Sequence, residues 1–145
     1  MKSNTQCRIC RSKLVKFLDL GEQPLANSFP KSEENEPKYP LEVYFCEDCN
    51  LIQLGNVVNR EKVFRDYIYF SSGMPKLSNH FKIYAEDIMI RFLKKGDFVI
   101  ELACNDGILL KFFKDAGYEV LGIDPAVNIS EVSKKLGVNV IVDFF

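Results

Sequence analysis

The chain has 145 residues, 47% of them apolar, which suffices for one ordinary domain or for a small module joined to part of a larger one. Its 19 Lys and Arg nearly cancel its 20 Asp and Glu, so no net field favours nucleic acid or an anionic membrane surface, and a neutral or small partner is expected. No stretch approaches the length of a bilayer span, and the polar start MKSNTQ lacks the apolar segment of a signal peptide, so the expected location is the cytoplasm.

In a reducing compartment five cysteines are a poor disulfide framework, and four of them form two close pairs, Cys7-Arg-Ile-Cys10 and Cys46-Glu-Asp-Cys49. Each CxxC folds as a tight knuckle that aims two sulfurs at one point, and two knuckles supply the four thiolates of a closed tetrahedral zinc site. With no open coordination position, such a zinc is structural rather than catalytic, and its binding replaces core that a segment this small does not build. Two disulfides, or four free buried thiols, are the alternative readings. Around the cysteines, residues 1–60 carry short apolar alternations at Leu14–Leu18 and Leu41–Phe45 that predict strands. The stretch PKSEENEPKYP, Pro30 to Pro40, predicts a solvated loop.

Residues 61–96 read as a helical connector. Leu77, Phe81, Tyr84, Ile88 and Phe92 recur at intervals of three and four, with Ser78 and Asn79 near the start, which predicts a helix from about Pro75 to Leu93 ended by Gly96-Asp97. Residues 97–145 alternate: strand Phe98–Leu102, helix Gly107–Ala116 closed by Gly117, strand Glu119–Ile123, helix Ile129–Leu136 closed by Gly137, strand Val138–Val142. Apolar strands separated by helices of this length predict an α/β unit with a parallel sheet. Three strands make only about half of a doubly wound sheet, so the chain is expected to be the front part of a longer protein.

The turn Glu101-Leu-Ala-Cys-Asn-Asp-Gly107 follows the first of these strands. A dinucleotide fingerprint needs GxGxxG there, and only Gly107 remains. Glu101 at the strand end repels a pyrophosphate and suits an ammonium or sulfonium group, such as the methionine end of S-adenosylmethionine. The sequence can be laid on acid-x-G-x-G-x-G with Ala103 and Asn105 at the first two glycine positions, Asn being the non-glycine residue that best tolerates a left-handed backbone. At the end of the next strand Asp124, in GIDPA, is placed to accept both ribose hydroxyls, or else to cap the helix opening at Pro125. Cys104 reads as a small buried apolar residue, since no histidine is near it in sequence.

With CRIC at 7–10, DLGEQPLANSF at 19–29, FCEDCNLIQL at 45–54, DYIYFSSGMPKLSNHF at 66–81, ELACNDG at 101–107 and GIDPAVNI at 122–129, the sequence resembles the sugar C-methyltransferases. These are S-adenosylmethionine-dependent enzymes with an N-terminal zinc-binding domain that act on nucleotide-linked keto-deoxysugars. The resemblance implies a β-rich zinc module followed by the first half of a Rossmann-like methyltransferase domain. It implies that Cys7, Cys10, Cys46 and Cys49 hold zinc, that Glu101, Ala103, Asn105 and Gly107 form the cofactor turn, and that Asp124 binds the ribose. Tyr69, in YIYFSS, would assist proton transfer or orient the sugar, although aromatic residues near a helix start are otherwise core. PLANSF, Pro24 to Phe29, is either part of the approach to the sugar or a turn with an edge strand. His80, the only histidine, reads as a helix-surface residue. The family's main catalytic histidine lies beyond the residues present, so this chain alone is expected to be inactive. A nucleotide sugar is the expected substrate, and the remaining part of the enzyme as a separate chain is an expected partner. The competing reading is a zinc-binding interaction module without catalysis of its own.

Overall fold

A computed structural model describes residues 4–26, 28–29 and 36–145, in two compact units, 1–59 and 60–145. In the first, β1 (Val15–Pro24), β2 (Lys38–Phe45) and β3 (Ile52–Leu54) form an antiparallel sheet in the order β1-β2-β3. β1 runs well past the alternation at Leu14–Leu18. It is bent by register shifts between Lys16 and Leu18 and between Asp19 and Glu22, the second of which holds Gly21 at φ 67. The expected loop is corrected at its end: Lys38, Tyr39 and Pro40 are already strand, while positions 30–35 lie outside the described residues. Pro40 is tolerated because β3 reaches only Val43–Phe45, so this part of β2 has a single neighbour, Glu22 of β1 opposite Pro40. PLANSF begins as the last residue of edge strand β1, and its position 27 lies outside the described residues.

Among the described residues, the buried apolar ones of this unit are Cys7, Leu14, Tyr44 and Cys46, with Leu51 packed against them. Phe17, Leu18 and Leu20 of β1 are about half exposed. A set this small does not order a unit of this length by apolar burial, and the cysteines supply the rest.

The second unit opens with α1 (Arg60–Phe64), a 3₁₀ turn at Ser71–Gly73 and α2 (Pro75–Phe92). Pro75 stands at the first turn of α2, where its missing N–H is no loss, so Ser78 and Asn79 lie past the start instead of capping it. Then come β4 (Phe98–Leu102), α3 (Ile108–Asp115), β5 (Glu119–Ile123), α4 (Val127–Lys135) and β6 (Val140–Ile141), with a parallel sheet ordered β4-β5-β6. The third strand is shorter than Val138–Val142, because Val138 is used to close the helix before it. Its N–H bonds to Ser133 O at 3.0 Å while Gly137 N–H bonds to Lys134 O at 2.9 Å. Tyr118 and Gly117 close α3 with the same pair of bonds, to Phe113 O and Lys114 O. Both glycines are left-handed, at φ 72 and 90, as these helix ends require.

The core of this unit joins Ala85 of α2, Leu110 and Phe113 of α3, Val120 of β5, Cys104 and Val138, with Ile88, Met89, Leu93 and Val99 packed around them. On β4 the alternation places Val99 and Glu101 on the core side. Phe98, Ile100 and Leu102, on the other, are about half exposed. A carboxylate therefore sits on the inward face of a strand at its C-terminal tip.

Candidate functional site

Two constellations carry chemistry, one in each unit. In the first, the knuckles have the same backbone design. Arg11 N–H bonds to Cys7 O at 3.0 Å and Asn50 N–H to Cys46 O at 2.8 Å. Cys7 N–H reaches Ser12 O and Cys46 N–H reaches Leu51 O, at 2.8 and 2.9 Å. Arg11 and Asn50, each just after the second cysteine of its pair, are left-handed at φ 67 and 59. The four sulfurs all lie within 4.8 Å of one another, with Cys7–Cys49 and Cys10–Cys49 at 3.5 Å and Cys10–Cys46 at 3.4 Å. A disulfide needs about 2.05 Å. A tetrahedral zinc with Zn–S of about 2.3 Å sets sulfur–sulfur edges near 3.8 Å, which this cluster matches. The disulfide alternative is therefore excluded and the thiols fit zinc.

Electrostatics point the same way. The Cys10 thiol is drawn down to about 6, first by the Ser12 hydroxyl and then by the Ser12 backbone. Cys49 accepts from Leu51 N–H, which lowers it, yet desolvation and the neighbouring sulfurs push it up to about 12. Four adjacent thiolates repel, and a divalent cation removes that repulsion. Gln53 of β3, buried at 5% exposure, braces the first knuckle by accepting from Arg8 N–H at 3.0 Å and donating to Gln6 O at 3.4 Å.

The second constellation lies at the tips of β4 and β5. Glu101 pairs in register with Gly122, and Ala103 N–H continues the ladder to Ile123 O at 2.8 Å. The chain is left-handed at Ala103, Asn105 and Gly107, with φ of 57, 49 and 75. These are the three positions that the acid-x-G-x-G-x-G alignment marks. Only the third holds glycine, and a Cβ there would meet Ser133 Cβ at 3.3 Å. Asp124, 6% exposed, accepts Asn105 N–H on Oδ2 at 2.9 Å and Ala126 N–H on Oδ1 at 2.8 Å. It thus ties the turn to the start of α4, which opens at Val127, two residues before the expected Ile129 and after Pro125.

Asp106 joins these residues without any motif to mark it. This residue is fully buried; its Oδ2 accepts Ser72 N–H at 2.8 Å, and its Oδ1 has no partner. Glu101 Oε2 is likewise buried without a partner. Nothing in the string ACNDG distinguishes Asp106 from an ordinary turn aspartate, because its partner, Ser72 N–H, belongs to the segment at 67–72, 34 positions away. That segment carries Tyr69, whose carbonyl accepts from Asn105 Nδ2 at 3.0 Å. The geometry therefore brings Glu101, Asn105, Asp106 and Asp124 together, with the Tyr69 backbone beside them. His80 is exposed on α2, its ring near Tyr84, as a helix-surface residue.

Burial, then Asp106 and Asp124, push the Glu101 carboxyl up to about 7. Between its unfolded value of 4.5 and about 7 the folded unit holds a proton that the unfolded chain releases. Stability associated with this group is thus fully present below pH 4.5 and is lost as pH rises through about 7. Glu101→Gln should flatten that decline and stabilise the unit at pH 8 by on the order of 2 kcal/mol, discounted for partial exposure. Denaturant titrations of both forms at pH 5 and pH 8 check this, and identical pH slopes would refute it. Cys104 is buried, its thiol pushed up to about 12 by burial and then by Asp124 and Glu101. It is a neutral packing residue, not a nucleophile.

A small antiparallel module with a four-cysteine zinc site, followed by a helix and a parallel sheet, is a mixed α/β architecture consistent with half of a Rossmann-like fold. No helix among the described residues is long and apolar enough to cross a membrane. A family model described as "Putative zinc binding domain" matches residues 7–64. C-methyltransferase NovU of Streptomyces niveus is 31% identical over 141 residues, covering 94% of this chain and 34% of the relative. By these matches the chain is similar to a C-methyltransferase and carries a zinc-binding segment at residues 7–64. The chain spans about a third of the length of the curated relative it matches.

Proposed function

We propose that the chain is the zinc-bearing, cofactor-binding portion of an S-adenosylmethionine-dependent C-methyltransferase that alkylates the carbon beside the keto group of a nucleotide-linked deoxysugar. One observation carries this reading: Glu101 Oε2 and Asp106 Oδ1 are buried without partners, and the charges acting on Glu101 are both negative. Buried carboxylates are relieved by a proton or by a cation, and a diphosphate would add to the repulsion. A nucleoside with a fixed positive charge and ribose hydroxyl donors fits the donor set.

When bound, S-adenosylmethionine supplies a methyl group on a cationic sulfur. Glu101, whose Oε2 is buried without a partner, would hold the positive end and would be favoured in its ionised form there. Ala103, Asn105 and Gly107 turn the backbone so that the ligand approaches closely. Each Asp124 oxygen already accepts one N–H and keeps a lone pair for a ribose hydroxyl. Tyr69 assists removal of the proton beside the keto group or orients the sugar, and hydrogen-bond donors stabilise the resulting enolate carbon nucleophile. The zinc shapes its own unit and takes no part in the chemistry. The site of action is the cytoplasm.

A docking module that pairs with a separate chain is the second reading, favoured by the half-exposed Phe98, Ile100 and Leu102 on one side of β4. Titration of the chain with millimolar S-adenosylmethionine, followed by amide chemical shifts, separates the two. Weak binding that moves residues 101–107 and 124, and that Glu101→Gln weakens about tenfold, is expected. No shift at the strand tips, or equal shifts with NAD, would favour the docking module.

A further inference from the structure

Asn105 occupies the second of three left-handed positions, where glycine would serve the backbone at less cost. Its carboxamide adds something that glycine lacks. Nδ2 donates to Tyr69 O at 3.0 Å and Oδ1 accepts Ser71 N–H at 2.9 Å, so one side chain grips the chain on both sides of Phe70. Asn128, in the first turn of α4, repeats the arrangement upstream. Its Nδ2 donates to Tyr67 O at 2.8 Å and its Oδ1 accepts Tyr67 N–H at 3.1 Å, which is how a neighbouring antiparallel strand would engage one residue. Asp106 completes the set through Ser72 N–H. A carboxamide offers a donor and an acceptor on two separate atoms of one short stem, so Asn is suited to both positions; Gly supplies neither group and an ionised Asp only the acceptor.

We propose that Asn105 and Asn128 are positioning residues that clip the 67–72 strap, and Tyr69 with it, in register over the strand tips. Because Asn105 belongs to the turn as well as to the clip, order in the turn and order in the strap rise together. A ligand that tightens one tightens the other, and by linkage a loosened strap weakens that ligand by the same factor. The clips stand on the hydrogen bonds alone; their coupling to a cofactor rests on the methyltransferase reading above.

Amide hydrogen exchange on the zinc-loaded chain tests this, with the β5 amides of Val120–Ile123 as the control for an intact fold. Asn105→Gly keeps the left-handed backbone and removes the clip, so Ser71 N–H should exchange about tenfold faster while Tyr67 N–H is unchanged. Asn128→Ala should speed Tyr67 N–H by a similar factor, and Asn128→Asp, which keeps the acceptor, should restore its protection. S-adenosylmethionine should slow exchange at Tyr67, Ser71 and Ser72 in the parent chain and bind both clip-less variants more weakly. Unchanged strap exchange in Asn105→Gly and Asn128→Ala, with β5 intact, would overturn the clips. Binding that leaves the strap untouched would overturn the coupling. Failure of the parent chain to bind S-adenosylmethionine at all would remove the methyltransferase reading, and the exchange pattern of the variants would still decide whether the clips exist.

Discussion

Replacing Cys46 by Ser should abolish zinc retention and unfold residues 4–59 while leaving 60–145 folded. Cys46 is fully buried, its sulfur lies 3.4 Å from that of Cys10, and it also stands in the small apolar cluster with Leu14 and Tyr44. The substitution therefore removes a metal ligand and a core member at once. Structural zinc binding is worth about 10–16 kcal/mol in small modules, far more than the apolar contacts present here offer in its place. Chelation of the parent protein should give the same spectrum as Cys46→Ser, because in both the knuckles lose what holds them together. Metal content with amide chemical shifts for the two units is the decisive measurement. A Cys46→Ser protein with a full zinc complement, or a metal-free first unit with dispersed shifts, would contradict this account.

Gly122→Ala should strongly destabilise the second unit. A Cβ at this position of β5 would lie 2.4 Å from Cys104 Sγ, 3.1 Å from Cys104 Cβ and 3.2 Å from Leu110 Cδ1. β5 cannot shift to relieve the clash, because it is bonded on both sides, to β4 at Glu101 and to β6 at Val140. Overpacking of this kind costs about 1–3 kcal/mol, or roughly 5–20 °C in Tm for a unit of this size. Cys104→Ala removes the sulfur that is met first, so the double variant should regain most of the loss, which no explanation from β propensity alone would give. Thermal melts of the four proteins of this cycle measure the coupling, and additive effects would rule out the contact as its cause. The pair also accounts for a cysteine in the turn: the strand beneath leaves room for a small apolar side chain and nothing larger.

Much of the frame was readable from residue order. Phe98–Leu102 and Glu119–Ile123 form strands at the expected residues, since five apolar-rich positions bounded by turn signals leave little choice. Gly117 and Gly137 close their helices because left-handed caps favour glycine. The two CxxC pairs announced one metal site despite the long insert, as ligand spacing within each knuckle is a local property. The resemblance to a sugar C-methyltransferase was likewise carried by short ordered motifs.

Other features depended on contacts distant in sequence. Pro40 is in a strand only because β3 is too short to pair with it. Val138 leaves the third strand to close a helix. Asp106 accepts Ser72 N–H across 34 positions, and Asn128 grips Tyr67 across 61. By itself, then, the sequence determined strands β4 and β5, the glycine caps of α3 and α4, the pairing of the cysteines and the left-handed turn, all of which are set by near neighbours and backbone sterics. Only the tertiary structure decided which acids are desolvated and which segment is held over them, because burial and side-chain-to-backbone bonding exist only once separate parts of the chain have been brought together.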